Sequence, residues 1–327
     1  MNKLIRFKGR LIIVGLILLF FAMLLTGCPQ RQQKPEPEQQ APAQLEEEPE
    51  ITVYMHETGE TQTMAIETYL QGVVAAEMDP EWHEEALAAQ AIIARSFTMK
   101  KIEEGGVEAR GTDASTDINE FQAYSAERVN DRVIQAVTRT AGEVALHNGQ
   151  YINAWFHADA GGVTATAKEG LNFQDDEPPY IHSVEDRGQE ITVEENKAWE
   201  VRFSLSQVAA AVQEITGSNP GSITSAEIVE TGPSGRATLV RLGETELHAA
   251  ALRLGLGSTE MRSTLLDKFT VEGSQLVVAG KGYGHGVGMS QWGARAMAED
   301  GISAEEIVSH YFKDVEIAKL WETNENN

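Results

Sequence analysis

The sequence predicts an α+β fold, and three observations carry that prediction. Ile51-Thr-Val-Tyr-Met55 is β-branched and alternates in polarity, the pattern of a half-buried strand. Ala86 to Met99 is Ala-rich and apolar nearly all round, the pattern of a helix buried on every side. Three pairs of apolar runs centred on turn residues read as hairpins, so the strands are expected to be mostly antiparallel. About 270 residues follow Ile51, close to the ~250–300 at which a single core stops growing. One elaborate domain and two closely packed lobes both satisfy that length.

The first 50 residues read as export signal and tether. Lys3, Arg6, Lys8 and Arg10 precede an apolar stretch from Leu11 to Leu25. Its 15 residues are short for a membrane-spanning helix of about 20. Leu25-Thr26-Gly27-Cys28 resembles a bacterial lipobox, whose cysteine is lipidated and becomes the new N-terminus; an uncleaved signal anchor is the bland alternative. No other cysteine is present, so no disulfide is expected. Diacylglycerol on Cys28 supplies two acyl chains, enough for stable anchoring on the outer face of a bacterial membrane. Residues 29–50 are mostly Pro, Gln and Glu and read as a disordered tether, at most about 70–80 Å long. The expected organisation is therefore signal 1–28, tether 29–50, folded domain 51–318 and tail 319–327. A net charge of −24 argues against nucleic acid as a partner and leaves the lipid anchor as the link to the membrane.

Within the domain, the strand at Ile51 is followed by a turn at His56–Glu60. Tyr69 to Ala76 is read as a short helix because Ala75 and Ala76 favour one. Asp79-Pro80 is expected to open the Ala-rich helix, with Asp as N-cap and Pro at the first helical position. Gly105-Gly106 ends it. Asn130 to Thr140 is a helix; Gly142 to Phe156 is a hairpin about Asn148-Gly149. Residues 171–200 read as loop, Ser206–Thr216 as helix, Gly221–Leu242 as two strands about Pro233-Ser-Gly235, and Glu246–Leu254 as helix. A hairpin over Phe269–Val278 leads to a glycine-rich run, Gly280 to Gly293, and two helices close the chain. Alternating glycines are expected to lie extended, leaving one bare strand face as a groove floor.

Glu77 stands out chemically because it follows Val73, Val74, Ala75 and Ala76. A carboxyl in apolar company has a raised pKa and suits a general acid. The bland alternative pairs it with Arg95, an unexpected charge in the buried helix. His157 beside Asp159 is a possible pair, and a Ser290–His285–Asp159 set stays open, although no GxSxG elbow supports it. His285 has no second His, Cys or Asp at ligand spacing, so no metal and no cofactor are expected, and a role as proton donor or substrate hydrogen-bonder is preferred.

Four separated segments resemble the SpoIID/LytB domain family. They are Tyr69-Leu-Gln-Gly-Val-Val-Ala-Ala-Glu77-Met with Ala88-Ala-Gln-Ala-Ile-Ile-Ala-Arg95-Ser-Phe; Phe121-Gln122-Ala-Tyr124; Ala154-Trp-Phe-His157-Ala-Asp-Ala-Gly161-Gly162-Val-Thr; and Gly282-Tyr283-Gly-His285-Gly-Val-Gly-Met-Ser290-Gln291-Trp-Gly-Ala. One departure is Ala158-Asp159-Ala160, where relatives carry small hydroxyl residues.

That family includes a sporulation lytic transglycosylase and a modifier of cell-wall amidase. The resemblance implies a SpoIID-like domain around a glycan cleft and an activity on the MurNAc–GlcNAc bond of peptidoglycan. It puts Glu77 at the position of the catalytic acid. It makes Arg95, Gln122, Tyr124, His157, Gly161, Gly162, Tyr283, His285, Ser290 and Gln291 candidate substrate-binding residues. A single acid suffices for a lytic transglycosylase, whereas ordinary glycosidases use two carboxylates. A non-enzymatic, wall-binding stimulator of an amidase is the second reading.

Overall fold

The Ala-rich stretch forms the helix Glu84–Glu103, buried from Ala86 through Ser96. It is the axis of the first of two apolar cores. Helices Ile66–Glu77, Asp131–Arg139, Gln291–Glu299 and Ala304–Tyr311 pack around it. The computed structural model describes residues 42–322; the signal, Cys28 and most of the tether lie outside them.

The chain leaves the first core after Ile181 and returns at Val287. Between these points it builds a second, smaller core from Phe203 to Val278. Two three-stranded antiparallel sheets and the helices Leu205–Thr216 and Ala249–Leu256 enclose it. The whole is an α+β domain with two lobes, and among the described residues its sheets are small and mostly antiparallel. The exceptions are two-residue parallel pairings, Val53-Tyr54 on Ala114-Ser115 and Phe156-His157 on Met289-Ser290.

Several expected elements differ in detail. The Ala-rich helix starts at Glu84 with His83 as N-cap, not at Pro80. Asp79 instead accepts from the Glu81 N–H at 3.0 Å and closes a turn, the local alternative that a short acidic side chain offers the backbone. The span 246–254 splits into a strand, Thr245–His248, and the helix Ala249–Leu256, because His248 takes the Ala250 N–H as a cap. Asn148-Gly149 does make the hairpin turn, both residues at positive φ, but the return strand is only Gln150–Tyr151. Short helices Gly188–Ile191 and Glu194–Lys197 occupy the span read as loop.

The glycine-rich run is not an extended strand. Gly282, Gly284, Gly286 and Gly288 have φ of 80°, 109°, 84° and 70°, so the backbone curls and presses on its neighbours. A Cβ on Gly288 would meet the Trp155 carbonyl oxygen at 2.1 Å. The fold also outruns its expected ends. Leu45 N–H donates to the Leu320 carbonyl, Lys319 lies in the strand Glu316–Lys319, and Trp321 is wholly buried, so the residues assigned to the tail begin inside the core.

Candidate active site

Glu77 is the last residue of the helix Ile66–Glu77, at the negative end of its dipole, which disfavours a carboxylate. Burial pushes its pKa up to about 7. Hydrogen bonds from the Ala123 N–H, 3.0 Å from Oε1, and from the Gln291 amide pull the other way and lose. Among the described residues no cation pairs with Glu77. Arg95, the expected partner, takes Glu67 instead, with Nε 2.9 Å from Oε1 and Nη2 2.6 Å from Oε2.

The segment after Glu77 is clamped by one short stretch. Arg128 donates to the carbonyls of Ala76 and Met78, Asn130 to Pro80, and Arg132 to Glu81 and Trp82. Arg128 satisfies carbonyls at the helix end, and Asn130 and Arg132 hold the loop beyond it. The other partner of the carboxyl, Gln291, is the first residue of the helix Gln291–Glu299. Its Nε2 lies 3.4 Å from Oε1 of fully buried Gln90. Ser290 caps that helix: its hydroxyl accepts from the Gly293 N–H and donates to Asp186, which also accepts from Tyr311 at 2.7 Å.

Two aromatic pairs adjoin the residues that hold the acid: Tyr124 follows Ala123, and Trp292 follows Gln291. Trp82, five residues after Glu77, packs against Trp292 at 4.7 Å, and Arg295 lies over both rings. Beyond Ala123, Tyr124 stacks on Tyr69 at 5.7 Å with rings 10° apart, directly over Gly72. It forms one wall of a pocket of about 350 Å³, shared with His56, Thr58, Thr116 and Ser125.

The other expected residues are distributed differently. Arg95 is wholly buried and also donates to the Glu143 carbonyl, so it lines no cleft. Gln122 is buried on Thr98. His157 is buried, its Nδ1–H donating to Val287, and burial first, then His285 and Arg236, hold its pKa far below the usual value. His285 accepts the Val287 N–H at Nδ1, and burial with Arg253 and Arg236 lowers its pKa to about 3; it is no proton donor near neutrality. It borders a separate cavity of about 190 Å³ with Arg253. Gly161 donates its N–H to Asp159, both Gly161 and Gly162 being turn residues at positive φ. Tyr283 pairs its backbone with Asp159 and carries Arg262 over its ring. Ser290 bonds to Asp186 rather than to a histidine, so the Ser290–His285–Asp159 set is not assembled. Among the binding candidates, Gln291 hydrogen-bonds the Glu77 carboxyl, and Gln122 and Tyr124 flank its Ala123 clamp in the chain, Gln122 with its side chain turned to Thr98.

Gln90, Trp82, Arg128 and Asp186 were not anticipated. Gln90 carried a signal, a polar side chain between the apolar runs Ala86–Ala89 and Ala91–Ala94; the others became visible only once distant segments were brought together.

A family model described as stage II sporulation protein (SpoIID) matches residues 54–147, and one for a domain of unknown function matches residues 181–288. The chain is 31% identical over 258 residues to an uncharacterized protein of Brachyspira hyodysenteriae, covering 77% of this chain and 66% of that protein. It is 30% identical over 286 residues to stage II sporulation protein D of Bacillus subtilis, covering 82% and 79%. Similarity to the amidase enhancer of Bacillus subtilis is 26% over 289 residues, covering 74% of this chain but only 39% of the enhancer.

Proposed function

Since this chain belongs to the stage II sporulation protein D (SpoIID) family, we propose that it is a peptidoglycan lytic transglycosylase that cuts the MurNAc–GlcNAc bond. One observation carries the reading: a carboxyl with a pKa near 7, paired with no cation among the described residues and held by Ala123 and Gln291, whose next residues, Tyr124 and Trp292, each belong to an aromatic pair. At neutral pH such a group is partly protonated and can both give and take a proton. Glu77 protonates the glycosidic oxygen as the C1–O bond breaks. The muramoyl 6-hydroxyl then closes on C1, its proton passing to the Glu77 carboxylate. A 1,6-anhydro end forms, no water is consumed, and the acid is restored.

The reading is tested by digesting purified glycan strands with the wild type and with Glu77→Gln. Loss of anhydro-ended fragments in the variant is expected, and unchanged release sinks the assignment.

Similarity to an amidase enhancer supports a second reading, stimulation of a separate cell-wall amidase without chemistry at Glu77. Under it, Glu77→Gln stimulates a purified amidase as well as the wild type does. In either case the protein works outside the cytoplasm, tethered by lipid on Cys28. Cys28→Ala is then expected to move it from the membrane fraction to the medium.

A further inference from the structure

We infer that the pocket beside Tyr124 is a subsite for one uncharged N-acetylhexosamine, which excludes the carboxylate-bearing sugar and thereby sets the register of the glycan at Glu77. The inference rests on the glycan reading above and adds which sugar sits where.

Size is the first argument. At about 350 Å³ the pocket lies at the small end of ligand sites, which run from about 300 to 1,000 Å³, and suits a single sugar ring. Its chemistry is the second. The Tyr124 ring is held rigid by Tyr69 beneath it and by Ser125, whose N–H donates to the Gly72 carbonyl at 2.9 Å. The Tyr124 hydroxyl makes no hydrogen bond to the described residues and is available to a ligand. Thr58, Thr116 and Ser125 add hydroxyls, so the walls combine an aromatic ring with neutral donors and acceptors, the mixture a pyranose needs.

Charge supplies the selectivity. Glu57 and Glu127 line the pocket, which has no Lys or Arg in its walls. The one histidine, His56, already has Asp117 at 3.2 Å. An incoming lactyl carboxylate, or a peptide carried on it, meets two like charges and no free cation; an N-acetylglucosamine does not.

Position turns selectivity into register. Ala123, whose N–H lies 3.0 Å from Glu77 Oε1, is followed directly by Tyr124, a wall of the pocket, and consecutive Cα atoms are about 3.8 Å apart. The occupant is therefore within a ring or two of the reacting bond. In a strand of two alternating sugars, fixing the identity of one ring fixes all of them, so the same one of the two glycosidic linkages always reaches the acid.

Protein-observed NMR on Glu77→Gln tests this, with triacetylchitotriose (called chitotriose below) as the uncharged probe and N-acetylmuramic acid as the charged one. Chitotriose is expected to shift the Thr58, Thr116 and Tyr124 resonances, and N-acetylmuramic acid is not. The surface variant Glu57→Lys/Glu127→Lys is expected to admit N-acetylmuramic acid with affinity raised about ten-fold or more. Tyr124→Phe, which keeps the stack, is expected to weaken chitotriose several-fold. N-acetylmuramic acid entering the pocket of the parent protein as readily as chitotriose, or both sets of substitutions leaving both titrations unmoved, overturns the inference. Wild-type cleavage of glycan is followed in parallel. Selective binding without any cleavage supports the subsite while removing the catalytic reading.

Discussion

Arg95 grips Glu67 with two nitrogens inside the first core, and this pair leaves Glu77 without a cation. Gln90, which meets Gln291 near the acid, lies five residues before Arg95 on the same helix, about 140° round its axis. The arginine and the acid thus serve different faces of one scaffold. Glu67 also accepts the Gly142 N–H, so the pair ties the helix Ile66–Glu77 to the hairpin at Glu143.

Arg95→Met is therefore expected to cost about 3–5 kcal/mol, because it strands a buried carboxylate. Urea unfolding measures the loss. The pH midpoint of glycan cleavage by the folded variant is expected to stay where it is. A displaced midpoint would show that Arg95 acts on Glu77 after all.

Glu77 itself is expected to weaken the fold at high pH. Between its ordinary value of 4.5 and the folded value of about 7, the native carboxyl holds a proton that the unfolded one has released. Stability contributed by that proton is complete below about 4.5 and is lost as pH rises through about 7. The difference corresponds to about 3 kcal/mol. Glu77→Gln, which cannot ionise, is expected to be more stable than the wild type at pH 8 by up to that amount, and no more stable at pH 4. Equal stability at both pH values would mean that the carboxyl is well solvated.

How much of this was legible in the sequence follows from what each signal depends on. The buried helix was legible because fourteen residues from Ala86 to Met99 carry one message, and Glu77 because apolar neighbours adjoin it in the chain. The partner of Arg95 was not, because Glu67 is set 28 residues away by a packing angle that no periodicity records. The glycine-rich run misled for a similar reason. Spacing of two is shared by strands and by successive left-handed turns, and only the walls around the backbone distinguish them. Lipidation at Cys28 lies outside the described residues.

Those walls make a sharp contrast between glycines. Gly288→Ala places a methyl 2.1 Å from the Trp155 carbonyl oxygen at φ +70°, and Gly273→Ala meets nothing within 4 Å at φ +61°. The second change carries only the left-handed penalty of about 1–2 kcal/mol. The first adds a backbone clash and moves the segment that leads into Ser290 and Gln291. Gly273→Ala is expected to fold with a modestly lower melting temperature, and Gly288→Ala to be recovered largely unfolded. Comparable melting temperatures for the two would mean that the run yields easily.

Ser290 gives the clearest separation of scaffold from chemistry. Its hydroxyl is wholly buried, caps the Gly293 N–H at 3.2 Å and reaches Asp186 at 3.3 Å, with no histidine to activate it. Ser290→Ala removes the cap, a loss of about 1 kcal/mol, and leaves Asp186 one donor short. Because Gln291 begins the helix that Ser290 caps, its hold on Glu77 loosens too, and that hold favours the ionised carboxyl. The acid's pKa is expected to rise above about 7, carrying the alkaline limb of the cleavage profile upward while folded enzyme still produces anhydro ends. A pH–rate profile, corrected for the folded fraction by circular dichroism, reads both effects. Complete loss of cleavage by a fully folded Ser290→Ala protein would return the serine to the chemistry.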